Sequence, residues 1–252
     1  MRARLLIAAL AALALAGSAS AGPVEKGKRL YGEYCVACHG ANGEGVASSD
    51  AGFGPGRHET VQHGLGPPLQ GVGALAADFY LRTGYMPLQQ TGTQPRRSRV
   101  LFSEPEIRAL VAYVASLEPG PAVPQPHPER GSLSEGSKLF SDHCAGCHQV
   151  VAEGGYLTDA VAPPLDQATP TQVAEAIRIG PYVMPHFTER QLSPREVDSI
   201  VRYVEYAKHP DDRGGWSIGH LGPVPEGLVT WLLAASVLVA ACIMIGKRLP
   251  RA

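Results

Sequence analysis

Two uninterrupted apolar runs stand near the ends of the chain, and the first predicts an export signal. Residues 5–16 are 12 apolar residues that follow Arg2 and Arg4, and the triplet Ala19-Ser20-Ala21 comes shortly after them. A basic start, a short apolar stretch and an A-x-A site make up a secretory signal peptide. A membrane span needs about 20 residues. We therefore predict that residues 1–21 are a cleaved signal rather than an uncleaved anchor.

The second apolar run predicts a membrane-spanning helix close to the C-terminus. Residues 228–245 are 18 residues without a charge. A helix of this length rises about 27 Å, close to the thickness of the hydrocarbon core. Basic residues flank spans on the cytoplasmic side, and three of them follow this run: Lys247, Arg248 and Arg251. The pattern predicts a single-pass cell-membrane anchor with a cytoplasmic tail at 246–252 and residues 22–227 on the extracytoplasmic side.

Between these runs, helical periodicity recurs in two halves of the chain. Each half ends in a segment that opens with a capping-box sequence, at residues 103–106 (SEPE) and 193–196 (SPRE). Apolar residues three or four apart follow both boxes and predict helices with one buried face. These residues are Ile107, Leu110, Val111, Val114 and Leu117 in the first half, and Val197, Ile200, Val201 and Val204 in the second.

An earlier helix is predicted in each half, at residues 25–34 and 134–143. Gly27 and Gly136 occupy the same place in these helices. A glycine lets another helix approach closely, because it has no side chain. We therefore expect the first helix of each half to cross the last one, with aromatic contacts between two pairs of rings: Tyr31 with Tyr113, and Phe140 with Tyr203.

Composition adds a constraint on what fills the core. The chain contains 29 Gly and 22 Pro, about a fifth of its 252 residues, while aromatic residues make up only 6%. Hydrophobic residues still account for 44%, which argues against disorder. Either the loops are long, or something other than side chains fills the core. The formal net charge is −1, and residues 22–227 carry 17 basic and 23 acidic residues. Nucleic-acid binding through bulk positive charge is therefore excluded.

Four of the five cysteines lie in two copies of the motif C-x-x-C-H. The copies are Cys35-Val-Ala-Cys38-His39 and Cys144-Ala-Gly-Cys147-His148. This pattern attaches c-type heme: two thiols one helical turn apart add to the vinyl groups, and the adjoining imidazole binds the iron. The competing interpretations are disulfides, a zinc site and a thioredoxin-like redox pair. A shared zinc site does not explain why each motif ends in His, and a redox pair expects a βαβ context that is absent. The sequence therefore predicts two covalently bound c-type hemes.

A methionine follows each motif at a similar distance and is a candidate for the sixth iron ligand. Met86 and Met184 lie 47 and 36 residues beyond the motif histidines, and each precedes a proline. His/Met ligation is common in c-type cytochromes, so we predict the axial pairs His39 with Met86 and His148 with Met184. His58 and His63 are rival ligands in the first half, and His186 is the rival in the second.

The two halves form an internal repeat that defines the domain boundaries. Heme cysteines, glycines and aromatic residues recur at an offset of 109, the Pro-Pro-Leu segments at 96 and the methionines at 98. Residues 118–128 contain five prolines and predict either a semi-rigid spacer or a plain surface connector. The predicted organisation is a first domain at 22–117, a linker at 118–132, a second domain at 133–209, a membrane-approach segment at 210–227, the span and the tail.

The motifs resemble class I cytochrome c domains, present twice, at about residues 25–117 and 133–208. The resemblance implies an all-α fold in which each domain wraps around a covalent heme that serves as its core, followed by the C-terminal transmembrane helix. It also implies that the backbone carbonyls of Pro67 and Pro163 accept a hydrogen bond from the free ring nitrogen of His39 and His148. Leu69 and Leu165 are then expected to pack on the porphyrin.

Over nearly its full length the chain resembles the diheme cytochrome c subunit of the actinobacterial-type cytochrome bc (bcc) complex. The resemblance rests on residues 35–45 (CVACHGANGEG), 66–73 (GPPLQGVG), 83–89, 190–192, 214–227 (GGWSIGHLGPVPEG) and 245–248. It implies a membrane-embedded electron carrier of a quinol–cytochrome c reductase, in contact with the cytochrome b subunit and the Rieske iron–sulfur subunit. Electrons would leave for the copper centre of a terminal cytochrome c oxidase. The subunit itself would have no bond-making active site.

Two alternatives remain open for the function. One is a cytochrome subunit of another membrane redox complex, either a periplasmic dehydrogenase or an oxidase; oxidase subunits of this type carry their anchor before the hemes. The other is a diheme peroxidase, which needs an open iron site.

Three further features have no assigned role. The Gly-rich insertion at 46–65 is longer than the family pattern, and Arg96, Arg97 and Arg99 could face a heme propionate or an acidic partner. Cys242 lies within the apolar run and is interpreted as a small apolar residue.

Overall fold

A computed structural model describes residues 22–47, 64–88, 93–210 and 223–248. The predicted signal, most of the insertion, including His58 and His63, and residues 211–222 of the membrane-approach segment lie outside the described residues.

The described chain is built from helices and two short hairpins. The helices are α1 Pro23–Tyr34, α2 Val36–His39, α3 Gly73–Arg82, α4 Glu104–Leu117, α5 Leu133–His143, α6 Ala145–His148, α7 Pro170–Ile179, α8 Pro194–Lys208 and α9 Pro223–Arg248. The strands β1 Val46–Ala47 and β2 Gly64–Gly66 pair antiparallel, as do β3 Gly155–Leu157 and β4 Ala160–Ala162. This architecture confirms the predicted all-α class with an apolar C-terminal helix.

The chain forms two compact units. The first combines the residues up to Gln125 with the segment Glu175–His186, and the second combines Pro126–Ala174 with the residues from Phe187 onward. The boundary at 125 falls inside the predicted linker. The second boundary falls inside α7, so the units differ from the sequence-based boundaries in where they place residues 175–186.

In the first unit, α1 crosses α4 at Gly27. A Cβ atom at this position would lie only 2.0 Å from the carbonyl oxygen of Ala109, so only glycine permits this crossing. One turn further along α1, the ring of Tyr31 meets that of Tyr113 with centroids 5.0 Å apart. The core cluster of the first unit surrounds this contact and consists of Tyr31, Leu81, Phe102, Ile107, Leu110 and Tyr113.

The second unit repeats this crossing with different neighbours. A Cβ atom at Gly136 of α5 would lie 1.9 Å from the carbonyl oxygen of Ser199 in α8. The rings of Phe140 and Tyr203 lie 5.2 Å apart at their centroids. The predicted crossings and aromatic contacts are therefore present in both halves of the chain.

The capping boxes begin the two last helices as predicted. The N–H of Ser103 donates to Glu106 at 2.8 Å, and the N–H of Ser193 donates to Glu196 at the same distance. The apolar positions behind the caps are buried or half-buried in α4 and fully buried in α8. These caps fix where the helices begin, and thereby which residues face the crossing glycines.

The helices α3 and α7 were not predicted from the sequence. Both contain a buried polar residue in the apolar face, Asp78 in α3 and Glu175 in α7, and this obscures the helical periodicity. A signal was nevertheless present for α7. The N–H of Thr169 donates to Gln172 and the N–H of Gln172 donates to Thr169, both at 3.2 Å, which is a capping box ahead of Pro170.

Both ends of the Pro-rich linker are hydrogen-bonded to folded segments. The N–H of Leu75 in α3 donates to the carbonyl of Pro121 at 3.1 Å. The N–H of His127, just before a 3₁₀ turn at Pro128–Arg130, donates to Asp198 of α8 at 2.6 Å. Each end of the segment is thus fixed to the unit that it belongs to.

The apolar C-terminal helix is longer than the sequence analysis predicted. It begins at Pro223 rather than near residue 228, since prolines are well tolerated in the first turn of a helix. Within it, Gly227–Lys247 is 21 residues long with a mean hydropathy of 2.6, and its most apolar stretch is not buried against the part of the chain that the structure describes. By length and composition, this helix can cross a membrane.

The helix crossing predicts opposite effects for two glycines of α1. Gly27→Ala inserts a methyl group against the Ala109 carbonyl and should destabilise the protein by about 1–3 kcal/mol. Gly32→Ala, where nothing lies within 4 Å of an added Cβ, should stabilise it by about 0.5–1 kcal/mol through helix propensity. Denaturant unfolding of the purified heme-loaded protein measures both. Equal stability of the two variants would contradict the assigned crossing.

Two candidate heme-binding sites

One turn of helix presents each C-x-x-C-H motif. In the first unit α1 ends just before Cys35, whose N–H donates to the carbonyl of Tyr31 at 2.9 Å, and the N–H of His39 donates to the Cys35 carbonyl at 2.9 Å. In the second unit Cys144 and His148 make the same bonds, at 2.8 and 2.9 Å. The motif therefore starts directly after the helix that makes the crossing, so the crossing fixes the position of both cysteines and of the histidine.

Each motif histidine is buried and bonded through one ring nitrogen. His39 and His148 are only 9% and 8% exposed. The Nδ1 of His39 lies 2.8 Å from the carbonyl oxygen of Pro67, and that of His148 lies 3.0 Å from the carbonyl of Pro163. A carbonyl only accepts, so Nδ1 carries the proton and Nε2 keeps its lone pair for a metal. Burial also lowers the pKa of His148, which favours the neutral imidazole that binds metals.

The loop after each histidine holds the prolyl carbonyl in place. The N–H of Leu69 donates to Gly43 at 2.7 Å, and the N–H of Leu165 donates to Ala152 at 2.9 Å. Both leucines come two residues after the proline whose carbonyl meets the imidazole. Their backbone bonds position the Pro-Pro-Leu segment against the loop, so the imidazole orientation is fixed by main-chain contacts.

In both sites a glycine lies close to the carbonyl of the second motif cysteine, but the glycine comes from a different strand in each. In the first, a Cβ at Gly66 of β2 would lie 2.6 Å from the carbonyl of Cys38. In the second, a Cβ at Gly155 of β3 would lie 2.8 Å from the carbonyl of Cys147. In the first site the glycine lies in β2, the strand directly before the Pro-Pro-Leu segment. In the second site it lies in β3, and β4 separates it from that segment.

A tyrosine hydroxyl supports each loop, a role that the helical pattern of the sequence does not indicate. Tyr31 donates to the carbonyl of Gly40 at 2.7 Å, and Tyr203 donates to the carbonyl of Val150 at 2.8 Å. The acceptors lie one and two residues after the motif histidines. The same rings that pack the helix crossing therefore also fix the start of the histidine loop.

None of the five cysteines forms a disulfide, which argues against the disulfide interpretation of the motifs. Burial, followed by the neighbouring thiol, raises the pKa of Cys35 and of Cys144 to about 11. Among the described residues, no group of three or more His, Cys, Asp or Glu side chains is close enough to hold one metal ion.

The predicted methionine ligands lie on loops that follow α3 and α7. Met86 is half-buried and packs against the core cluster of the first unit, as do Cys35 and Leu69; its N–H donates to Tyr80 at 3.0 Å. The structure therefore brings three predicted residues of the first site onto one core. Met184 is half-buried, and its N–H donates to Pro181 at 3.1 Å. The rival ligand His186 is exposed.

The three arginines ahead of α4 are exposed and lie on a loop attached to the Met86 segment. The N–H of Ser98 donates to the carbonyl of Thr83 at 3.3 Å. Burial raises the pKa of Tyr85, and the positive charge of Arg97 lowers it. The suggested contact of Arg96, Arg97 and Arg99 with a propionate or an acidic partner stays a prediction.

The residues at both sites fit c-type heme. Each offers two thiols and an imidazole whose Nδ1 is already bonded and whose Nε2 keeps its lone pair. In the first unit the thioether of Met86 packs on the same core cluster as Cys35, and Met184 stays a predicted ligand of the second heme. This donor set matches a covalent heme with His/Met ligation.

Comparisons with protein families place one cytochrome domain in each half. The model "Cytochrome c" matches residues 24–118, and the model "Cytochrome C oxidase, cbb3-type, subunit III" matches residues 131–204. These matches confirm two cytochrome c domains and, with the two attachment motifs, the prediction of two c-type hemes.

Individual relatives match over most of the chain. The cytochrome bc1 complex cytochrome c subunit of Corynebacterium diphtheriae is 35% identical, covering 89% of this chain and 81% of the relative. The subunit with the same description from Mycobacterium tuberculosis is 34% identical, covering 94% and 82%. A cbb3-type cytochrome c oxidase subunit from Azospirillum is 27% identical, covering 75% and 62%.

The attachment motifs predict a stepwise loss of covalent heme. Cys35→Ser/Cys38→Ser and Cys144→Ser/Cys147→Ser should each halve the heme that stays with the denatured polypeptide, because thioether bonds survive denaturation. The ratio of heme to protein in the denatured chain measures this. Cys242→Ser is the matched control and should retain both hemes. Full heme retention in either double variant would remove that motif as an attachment site.

Proposed function

Because the chain belongs to the family of cytochrome c subunits of the cytochrome bc1 complex, we propose that it carries electrons out of a quinol–cytochrome c reductase. The donor is the Rieske iron–sulfur subunit, which works beside the cytochrome b subunit, and the acceptor is the copper centre of a terminal oxidase. One observation carries this proposal: the similarity to bc1 subunits extends over 89% of the chain, which is more than the two cytochrome domains at residues 24–118 and 131–204 occupy.

His39 with Met86, and His148 with Met184, would hold the two heme irons in this proposal. A c-type heme held in this way supplies one-electron redox chemistry at a potential that methionine raises. Each imidazole is oriented by its bond to Pro67 or Pro163, which also increases the basicity of its Nε2. With a methionine as well as a histidine on each iron, the heme would transfer electrons without binding a substrate. Leu69 and Leu165 close the apolar wall of each pocket and keep water away from it.

The anchor holds the carrier at its partners. We infer that residues 22–227 lie on the extracytoplasmic side, since the signal sequence and the basic residues after the span both favour that orientation. Two heme domains on one anchor replace a membrane-bound and a diffusible cytochrome, so the second transfer does not depend on diffusion.

A cytochrome subunit of a cbb3-type oxidase is the second candidate function. It is favoured by the family match over residues 131–204 and by the Azospirillum relative. Lower identity and shorter coverage argue against it, as does the position of the apolar helix after both heme domains, because oxidase subunits of this type carry the anchor before them.

Purification of the native membrane complex distinguishes the two candidates. A C-terminally tagged chain should bring down a cytochrome b and a Rieske protein, and a soluble reduced quinone analogue should reduce both c-type hemes of the preparation. A heme–copper oxidase without cytochrome b and Rieske partners would instead establish the second candidate. Recovery of neither set of partners would refute both.

Replacing a proposed methionine ligand should change one potential. Met184→His should lower the midpoint potential of one heme by on the order of 0.1–0.3 V, a fraction of the roughly 0.8 V that axial ligands span. It should also remove that heme's share of the weak red band of methionine-bound ferric iron. Potentiometric titration with optical detection measures both changes.

His186→Ala is the matched control, since this exposed histidine lies two residues from Met184. It should leave both potentials and the red band unchanged. If His186→Ala removes low-spin character from one heme while Met184→His has no effect, His186 is the ligand and Met184 is not.

A further inference from the structure

The first unit contains a carboxyl group that is buried without a hydrogen-bond donor. The side chain of Glu175 in α7 is completely buried, and among the described residues no N–H or O–H group donates to either of its carboxyl oxygens. Asp78 of α3, itself only 7% exposed, interacts electrostatically with it. A buried carboxylate without a partner is strongly unfavourable, so one of the two groups must bind something that removes its charge.

Asp78 and Glu175 occupy the same position in the internal repeat. α3 and α7 are both ten residues long and begin 97 residues apart, and the two acids are the sixth residue of each helix. This offset lies between those of the prolines and the methionines. Asp78 therefore precedes Met86 by eight residues, and Glu175 precedes Met184 by nine. The pair joins the two helices that lead to the two proposed methionine ligands.

Arg82 is hydrogen-bonded to Asp78 and not to Glu175. Its Nε donates to Asp78 at 2.7 Å, while its terminal nitrogens donate to Glu104 at the start of α4, one of them at 2.9 Å. Glu104 also accepts from Arg108 at 2.8 Å. The guanidinium bonded to Asp78 is thus shared with a second carboxylate, and Glu175 receives no donor from it.

The charges around Glu175 favour its neutral form. Burial is the largest effect and the negative charge of Asp78 comes next; together they raise the pKa of Glu175 to about 8, although Arg82 acts in the opposite direction. On its own helix, Arg178 lies one turn further along. At neutral pH the acid that keeps its proton is therefore Glu175.

We propose that Asp78 and Glu175 form a proton-binding site, in which the protonated Glu175 carboxyl donates its hydroxyl to the Asp78 carboxylate. The shared proton gives Glu175 a partner, adds a second one to Asp78 beside Arg82, and links α3 to α7. Loss of this proton leaves two adjacent buried carboxylates, which repel each other and weaken the contact. The site depends only on residues of this chain and is independent of the partners proposed above.

The sign of the pH dependence follows from the two states of Glu175. In the unfolded chain this group ionises near its ordinary pKa of 4.5, and in the folded protein near 8. Between these values the folded protein holds a proton that the unfolded chain has lost. Stability must therefore fall as the pH rises from about 4.5 to about 8 and be constant with respect to this group above that range.

Infrared spectroscopy of the full-length heme-loaded protein in detergent tests the site directly. The wild type should show the C=O stretch of a protonated carboxyl at neutral pH that disappears around pH 8, and Glu175→Gln should lack it. Glu153→Gln, at an exposed position, is the matched control and should retain the band. A spectrum of Glu175→Gln identical to that of the wild type would overturn the proposal.

Thermal unfolding across the same pH range gives an independent readout. The melting temperature of the wild type should fall relative to that of Glu175→Gln, by on the order of 5 °C between pH 5 and 8, because an amide cannot ionise. Asp78→Asn keeps Glu175 and should shift the loss of its infrared band to lower pH, which tests the site even where Glu175→Gln folds poorly. A parallel pH dependence in the wild type and Glu175→Gln, or an unchanged band midpoint in Asp78→Asn, would contradict a shared proton.

Discussion

The distance between the first and last helix of each repeat is the constraint on which both sites depend. At Gly27 and Gly136 the backbones approach so closely that a single methyl group would overlap a carbonyl of the opposite helix. This contact fixes the position of the C-terminal ends of α1 and α5, and the heme-attachment motifs follow directly after those ends. One tyrosine of each aromatic pair beside the glycines donates a hydrogen bond to the loop after the histidine. It is Tyr31 in the first unit and Tyr203 in the second. Packing and ligand orientation are consequently fixed by the same few residues.

Much of the fold and site was accessible from sequence because the decisive features are local or repeated. A C-x-x-C-H motif, a capping box and an apolar stripe each lie within one or two helical turns, and the repeat allows every feature to be checked against a second copy. The crossing glycines could be predicted because they precede a known motif by a fixed spacing.

Features that depend on tertiary partners could not be predicted in this way. The helices α3 and α7 have an acid in the middle of the apolar face, where periodicity alone predicts a solvent-facing position. Their burial depends on residues distant in sequence, such as Pro121, which accepts from α3. The roles of Gly66 and Gly155 were also missed, since they differ between the repeats and the alignment gives them no counterpart.

The differences between the two repeats show which physical requirement matters at each site. The residue after the motif histidine has a positive φ in both units, 79° at Gly40 and 59° at Gln149, although only the first is a glycine. Positive φ disfavours side chains with a Cβ, so the second site tolerates a cost that the first avoids. In both, the carbonyl of the histidine accepts from a glycine N–H, at 2.8 Å from Gly45 and 3.0 Å from Gly154. What is common to both repeats is therefore the backbone path that returns a prolyl carbonyl to the imidazole, and the residue types along that path vary wherever the same hydrogen bonds can still form.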